Sequence, residues 1–113
     1  MNEVIKIILE RRAVRKYEDR PVSREDLELI VKCGQYAATG MGVQPWHFTV
    51  VTDRKVLEEL SDANKAIMLA DPNTPAPVLD MIRSGQFDTY RGAPCAVLVS
   101  GENTEQNTIA DCA

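Results

Sequence analysis

The 113-residue sequence predicts one small domain, residues 1–113, of the α/β or α+β kind, with helices packed on one core sheet. Three observations lead there. Segments with helical and strand-like apolar spacing alternate as helix, short extended arm, helix, strand, helix, strand and the beginning of a helix. Two runs, WHFTVVT and GAPCAVLVSG, have the composition of strands in one sheet. No internal repeat, heptad array or inter-domain linker divides the chain.

Val4, Ile5, Ile8 and Leu9 recur at helical spacing behind Asn2, a capping residue, so residues 3 to 11 read as a short amphipathic helix ending in two arginines. AVRKYED then alternates loosely and stops before Pro21, which suits a short extended segment or strand on the surface. Ser23, three residues before Asp26, marks the next helix start in the manner of a capping box. Leu27, Ile30, Val31, Gly34, Ala37 and Ala38 keep one face of that helix apolar, and the small residues among them predict close approach by another element.

TGMGVQPWHFTVV, residues 39–51, passes from small and polar residues straight into an aromatic, β-branched strand. Trp46 and Phe48 fall on one face of that strand, His47 and Thr49 on the other. The loop before it either leads into a core strand or lays exposed backbone N–H groups against a flat ligand. Asp53 then caps a helix that carries Val56, Leu57 and Leu60 inward. Residues 71–77, DPNTPAP, hold three prolines and read as neither regular helix nor central strand, while VLDMIRS after them suits one or two turns. GAPCAVLVSG reads as a strand buried on both faces. ENTEQNTIADCA begins a helix, with Thr104 as its cap and Ile109, Ala110 and Ala113 starting an apolar stripe. Because a two-stranded sheet is marginal by itself, more chain or a partner is expected to complete it.

The net charge of -4 and a pI near 5.0 argue against nucleic acid or an anionic membrane as the main partner, so any anion site must be local. No window approaches the roughly 20 apolar residues of a membrane span. The start, MNEVIKIILERR, lacks the features of a signal peptide, so a cytoplasmic location is expected. Cys33, Cys95 and Cys112 are odd in number and contain no C-x-x-C pair, which suggests neither a disulfide framework nor a zinc site.

The concentrated charge is RRAVRK, which packs Arg11, Arg12, Arg15 and Lys16 into six residues of an acidic chain. A guanidinium offers a planar fork of donors that matches phosphate oxygens two at a time. The plainer reading is solvated cations interacting with the carbonyl end of the first helix. Neither a G-x-G-x-x-G after a strand, a Walker A loop nor a G-x-S-x-G elbow is present. His47 is the single histidine, and a lone strand histidine is more often packed or hydrogen-bonded than catalytic.

Taken together, RRAVRKYEDRPV, the helix REDLELIVKCGQYAA, TGMGVQPWHFTVV and YRGAPCAVLVSG resemble, in order and spacing, the amino-terminal part of the FMN-dependent nitroreductase family. The resemblance implies an α+β fold with a central sheet flanked by helices, in which two protomers interlock as a homodimer with FMN at each of two interface sites. It also implies NAD(P)H as electron donor and a nitroaromatic, quinone or similar small molecule as acceptor. By position, Arg11 and Arg12 match the segment at the FMN ribityl phosphate, with Ala13 between the arginines. Arg15 matches a cation beside the flavin pyrimidine, where two-electron reduction places negative charge. Ala38, Thr39, Gly40 and Met41 match the loop contributed by the opposite protomer, and Asn64 matches an asparagine that hydrogen-bonds the ring.

The chain departs from the family pattern at several points. Many members carry Pro-Ser-Ser-x-Asn before Gln-Pro-Trp; the residues here are Ala38, Thr39, Gly40, Met41 and Gly42, so the loop asparagine's contact is lost. Ala13 stands where others have serine and offers only its backbone. The resemblance covers the first half to two-thirds of a family member, so the chain is expected to be truncated, with the glycine-rich segment at flavin N5 and the later basic residues beyond Ala113. The alternative function is a non-enzymatic flavin- or anion-binding module or an inactive fragment. Bound yellow chromophore together with NADH oxidation separates the two.

Overall fold

A computed structural model describes residues 1–102 and 108–113. Asn2 Oδ1 accepts the N–H of Ile5 at 3.0 Å and starts helix α1, Glu3–Glu10. Its apolar stripe stays uncovered: Val4, Ile5, Ile7, Ile8 and Leu9 are all exposed, Ile8 at 66%. Residues 11–18 lie in no helix and pair with no strand among the described residues. The strand alternative for AVRKYED is therefore corrected to an exposed arm, whose end is tied down where Arg54 Nη2 donates to Asp19 Oδ1 at 3.0 Å.

Helix α2, Arg24–Gln35, begins where Ser23 Oγ accepts the Asp26 N–H at 3.1 Å and buries Leu27. The predicted close approach occurs at Gly34, where an added Cβ would stand 2.9 Å from Phe48 Cε1. The helix stops earlier than its apolar spacing suggested. Tyr36 and Ala37 N–H groups turn back to the carbonyls of Cys33 and Gly34 in tight i to i−3 bonds, which leaves Ala37 and Ala38 exposed outside the helix. A 3-10 turn, Gly40–Gly42, leads to strand β1, Trp46–Val51.

Strand β1 pairs antiparallel with β2, Ala96–Gly101, with Trp46 opposite Gly101, Phe48 opposite Val99 and Val51 opposite Ala96. Along β1, Trp46 and Phe48 are half-buried while His47 and Thr49 are exposed, so the alternation read from the sequence holds. β2 is not buried on both faces. Ala96 to Leu98 are half-buried and Val99 to Gly101 exposed, in a sheet that has two strands among the described residues.

Helix α3, Arg54–Ala70, is capped by Asp53 Oδ1 on the Lys55 N–H at 2.9 Å. Leu57 is buried, whereas Val56 and Leu60 remain exposed and do not enter the core as expected. Helix α4, Ala76–Arg83, opens behind Pro75 with Pro77 in its first turn. This corrects the reading of residues 71–77 as wholly non-helical, since a proline in the first turn costs no hydrogen bond. Helix α5, Thr108–Cys112, packs on the end of β2, where an added Cβ on Gly101 would meet Thr108 Cγ2 and stand 2.8 Å from Cys112 Sγ. The expected cap Thr104 lies outside the described residues, and Ile109 is exposed.

Among the described residues Leu27 of α2, Leu57 of α3 and Ile82 of α4 form the buried apolar core. The surface of 9195 Å² far exceeds the about 6,200 Å² expected of a folded monomer of 12.6 kDa. The radius of gyration, 16.9 Å, likewise exceeds the about 13 Å of a closed domain this long.

Candidate functional site

The cationic arm leaves α1 at its carbonyl end. The Arg11 N–H bonds Ile7 O at 3.0 Å, and Arg12 Nη1 donates to Leu9 O at 3.0 Å and to Arg11 O at 2.8 Å. Arg12 thus matches the plainer reading of a cation on the last carbonyls of a helix. Arg11, Arg15 and Lys16 are exposed, and among the described residues none of the four cations forms an ion pair with a carboxylate. Ala13 is exposed between them.

The second group is the loop after α2. Thr39 Oγ1 accepts the Gln44 N–H at 3.2 Å, while Gly42 and Val43 donate to the carbonyls of Thr39 and Gly40. The Gly40 N–H donates to Asp111 Oδ1 at 3.2 Å, a contact across 71 residues of sequence that holds the loop to α5. The N–H groups here are therefore mostly turned inward rather than laid open as a row. What the loop presents is Met41, fully exposed at φ 55°, followed by Gly42 at φ 67° and Gln44 at φ 50°.

Asn64, on α3, forms the third group. Its Nδ2 donates to Thr89 Oγ1 at 2.9 Å and lies 3.6 Å from Met68 Sδ. Beneath it Ser61, 3% exposed, accepts the Thr89 N–H at 3.0 Å. Asp88 shapes this connection by accepting the Tyr90 N–H at 2.9 Å and the Gly92 N–H at 2.8 Å. Burial pushes the Asp88 carboxyl up, but the Tyr90 and Gly92 N–H bonds, the Ser61 hydroxyl and the charge of Lys65 outweigh it and hold it below the ordinary carboxylate value. Ser61, Thr89 and Asp88 were not singled out by sequence reasoning. The available signal was Asp88 four residues before Gly92, an Asx-turn composition.

Among the described residues no hydrogen bond or ion pair joins arm, loop and Asn64 to one another. His47 is exposed on β1, neither packed nor closely bonded, with Nε2 4.0 Å from Glu102 Oε1. Cys33 is exposed, Cys95 and Cys112 half-buried, and all three are free thiols. The donor set suits a phosphate attached to a flat heterocycle: the guanidinium forks of Arg11 and Arg15, which among the described residues have no partner, a loop whose Gly42 has open space around it, and a carboxamide whose oxygen accepts no hydrogen bond among the described residues. It thus fits FMN. Among the described residues, no helix is long and apolar enough to cross a membrane.

The sequence model of the Nitroreductase family matches residues 8–113. A nitroreductase with bound FMN from Bacteroides fragilis NCTC 9343 superposes with a TM-score of 0.89 at 33% identity, over 99% of this chain and 59% of that one. A second, with bound FMN from Desulfitobacterium hafniense DCB-2, gives 0.85 at 26% identity, again over 99% and 59%. An Archaeoglobus fulgidus protein with the provisional name NADH dehydrogenase/NAD(P)H nitroreductase is 46% identical over 63 residues, 56% of this chain and 36% of its own length. The chain thus spans 59% of the Bacteroides protein, and its match to the Archaeoglobus protein covers about a third of that relative. A family match that runs almost from end to end, on a helix-and-sheet arrangement shared with solved relatives, means that this chain belongs to the nitroreductase family.

Proposed function

We propose that the chain is the FMN-binding part of a nitroreductase-type oxidoreductase that takes electrons from NAD(P)H and delivers them to nitroaromatics, quinones or similar acceptors. The observation that carries this reading is the cluster of Arg11, Arg12, Arg15 and Lys16, exposed and without carboxylate partners among the described residues, in a family whose solved members include FMN-bound proteins. The relative in Bacillus subtilis named FMN reductase (NAD(P)H), 34% identical over 62 residues, supports the electron donor.

In this reading Arg11 and Arg12 hold the ribityl phosphate, with Ala13 contributing its backbone, and Arg15 sets a fixed cation beside the pyrimidine edge. Ala38, Thr39, Gly40 and Met41 cover the ring of a partner protomer, and Asn64 offers its carboxamide to the ring edge. Bound FMN supplies the two-electron transfer between donor and acceptor. The chain's residues bind, orient and tune that group, so no side chain is needed as acid, base or nucleophile. Homodimerisation is part of the proposal, supported by a surface excess of roughly 3,000 Å², the order of area that obligate interfaces bury. That no hydrogen bond or ion pair joins arm, loop and Asn64 among the described residues favours a second reading, a non-enzymatic flavin- or anion-binding module.

Flavin fluorescence titration tests the assignment. Arg11→Ala is expected to weaken FMN binding by roughly 1.5 to 3 kcal/mol, because a charge-assisted bond to phosphate is lost, and Lys16→Ala by roughly 0 to 1. Equal losses would sink the placement of Arg11. FMN binding without NAD(P)H oxidation would favour the non-enzymatic module.

A further inference from the structure

Among the described residues a polar group of Ser61, Asn64 and Thr89 joins α3 to the connection before β2. Ser61 Oγ, buried, accepts the Thr89 N–H at 3.0 Å and lies 3.4 Å from Thr89 Oγ1. Thr89 Oγ1 in turn accepts from Asn64 Nδ2 at 2.9 Å, and the other side of that nitrogen faces Met68 Sδ at 3.6 Å. Both carboxamide hydrogens are therefore directed into the protein, while Oδ1 has no protein partner among the described residues. Flipping the amide would set its oxygen against the sulfur, two acceptors facing each other. The backbone that carries Thr89 is itself held, on one side by Ser61 and on the other by the Asp88 turn.

We infer that Thr89, backed by Ser61, is a positioning residue that holds the Asn64 carboxamide in one rotamer with Oδ1 outward, as the acceptor for a ligand N–H. The hydroxyl acts only through Asn64 and does not itself touch the ligand. As to which ligand Asn64 meets, the inference rests on the FMN reading above; the geometry of the three side chains does not.

The two parts are tested separately. In ¹⁵N-labelled full chain without flavin, the Asn64 side-chain NH₂ pair should be well dispersed and slow to exchange. It should stay so in Thr89→Ser and collapse toward free-amide behaviour in Thr89→Val. A motionally averaged Asn64 carboxamide in the wild-type chain overturns the inference without any variant, as does a pair unaltered in folded Thr89→Val. In FMN titrations Asn64→Ala and Thr89→Val should each weaken binding by about three- to tenfold, the double variant no further than Asn64→Ala, with Thr89→Ser close to wild type. Independent losses that add in the double variant overturn the inference. If Asn64→Ala leaves FMN affinity unchanged, or the wild-type chain takes up no FMN, the functional reading fails and the amide spectrum alone decides the positioning role.

Discussion

Gln44 holds a non-glycine side chain at φ 50° immediately before Pro45, whose ring disfavours helical conformations in the preceding residue. Such a position costs about 1 to 3 kcal/mol, against about 0.5 to 1 for the extra chain entropy of glycine. Gln44→Gly is therefore expected to raise stability in urea unfolding by up to about 2 kcal/mol. Gly42, at φ 67° with open space around it, behaves oppositely: Gly42→Ala should lose about 1 kcal/mol through backbone strain alone. If Gln44→Gly destabilises the chain, the loop is not strained as described. Met41 combines φ 55° with full exposure, so its side chain gains nothing from its own chain for the conformation it is held in.

At the level of elements, α2 meets β1 through Gly34 and Phe48. An alanine there gains about 1 kcal/mol of helix propensity but must displace a half-buried ring 2.9 Å away, at about 1 to 3 kcal/mol. Gly34→Ala should therefore lower stability by up to about 2 kcal/mol, and in a Phe48→Leu background it should become neutral or stabilising. A urea-unfolding double-mutant cycle measures this; additive effects would place Phe48 elsewhere. The connection held by Asp88 carries a pH dependence. Its folded pKa lies below the ordinary 3.8, so the carboxylate contributes stability that is fully present above that value and is lost as pH falls through the folded pKa. Urea midpoints recorded from about pH 5 to pH 2.5 should fall less steeply in Asp88→Asn than in the wild type. Matching slopes would remove Asp88 from the acid response.

The whole molecule is dominated by what remains uncovered. The apolar stripe of α1 is exposed along its full length, and among the described residues the buried apolar core is limited to Leu27, Leu57 and Ile82. Such a surface is expected to drive association. In sedimentation velocity the chain should behave as an oligomer, or as poorly folded protein. Ile5→Lys with Ile8→Lys should shift it toward smaller species. A compact monomer at every concentration would overturn the association.

Features set within four residues of chain were legible in the sequence. Asn2, Ser23 and Asp53 cap their helices as read, because a cap needs only its own side chain and an N–H two or three positions on. The two faces of β1 follow from the alternation of extended backbone, and the arginine cluster is visible as composition. The family was recognisable because four such local segments stand in a fixed order. What required tertiary structure was every feature with two distant owners. The antiparallel register of β1 on β2, the Gly40 bond to Asp111 across 71 residues and the Asn64 bond to Thr89 across 25 each depend on which of many loop closures occurs. For the same reason periodicity identified the apolar stripe of α1 but not that its own chain leaves it bare. An amphipathic pattern records that a face needs cover, and only packing decides what supplies it.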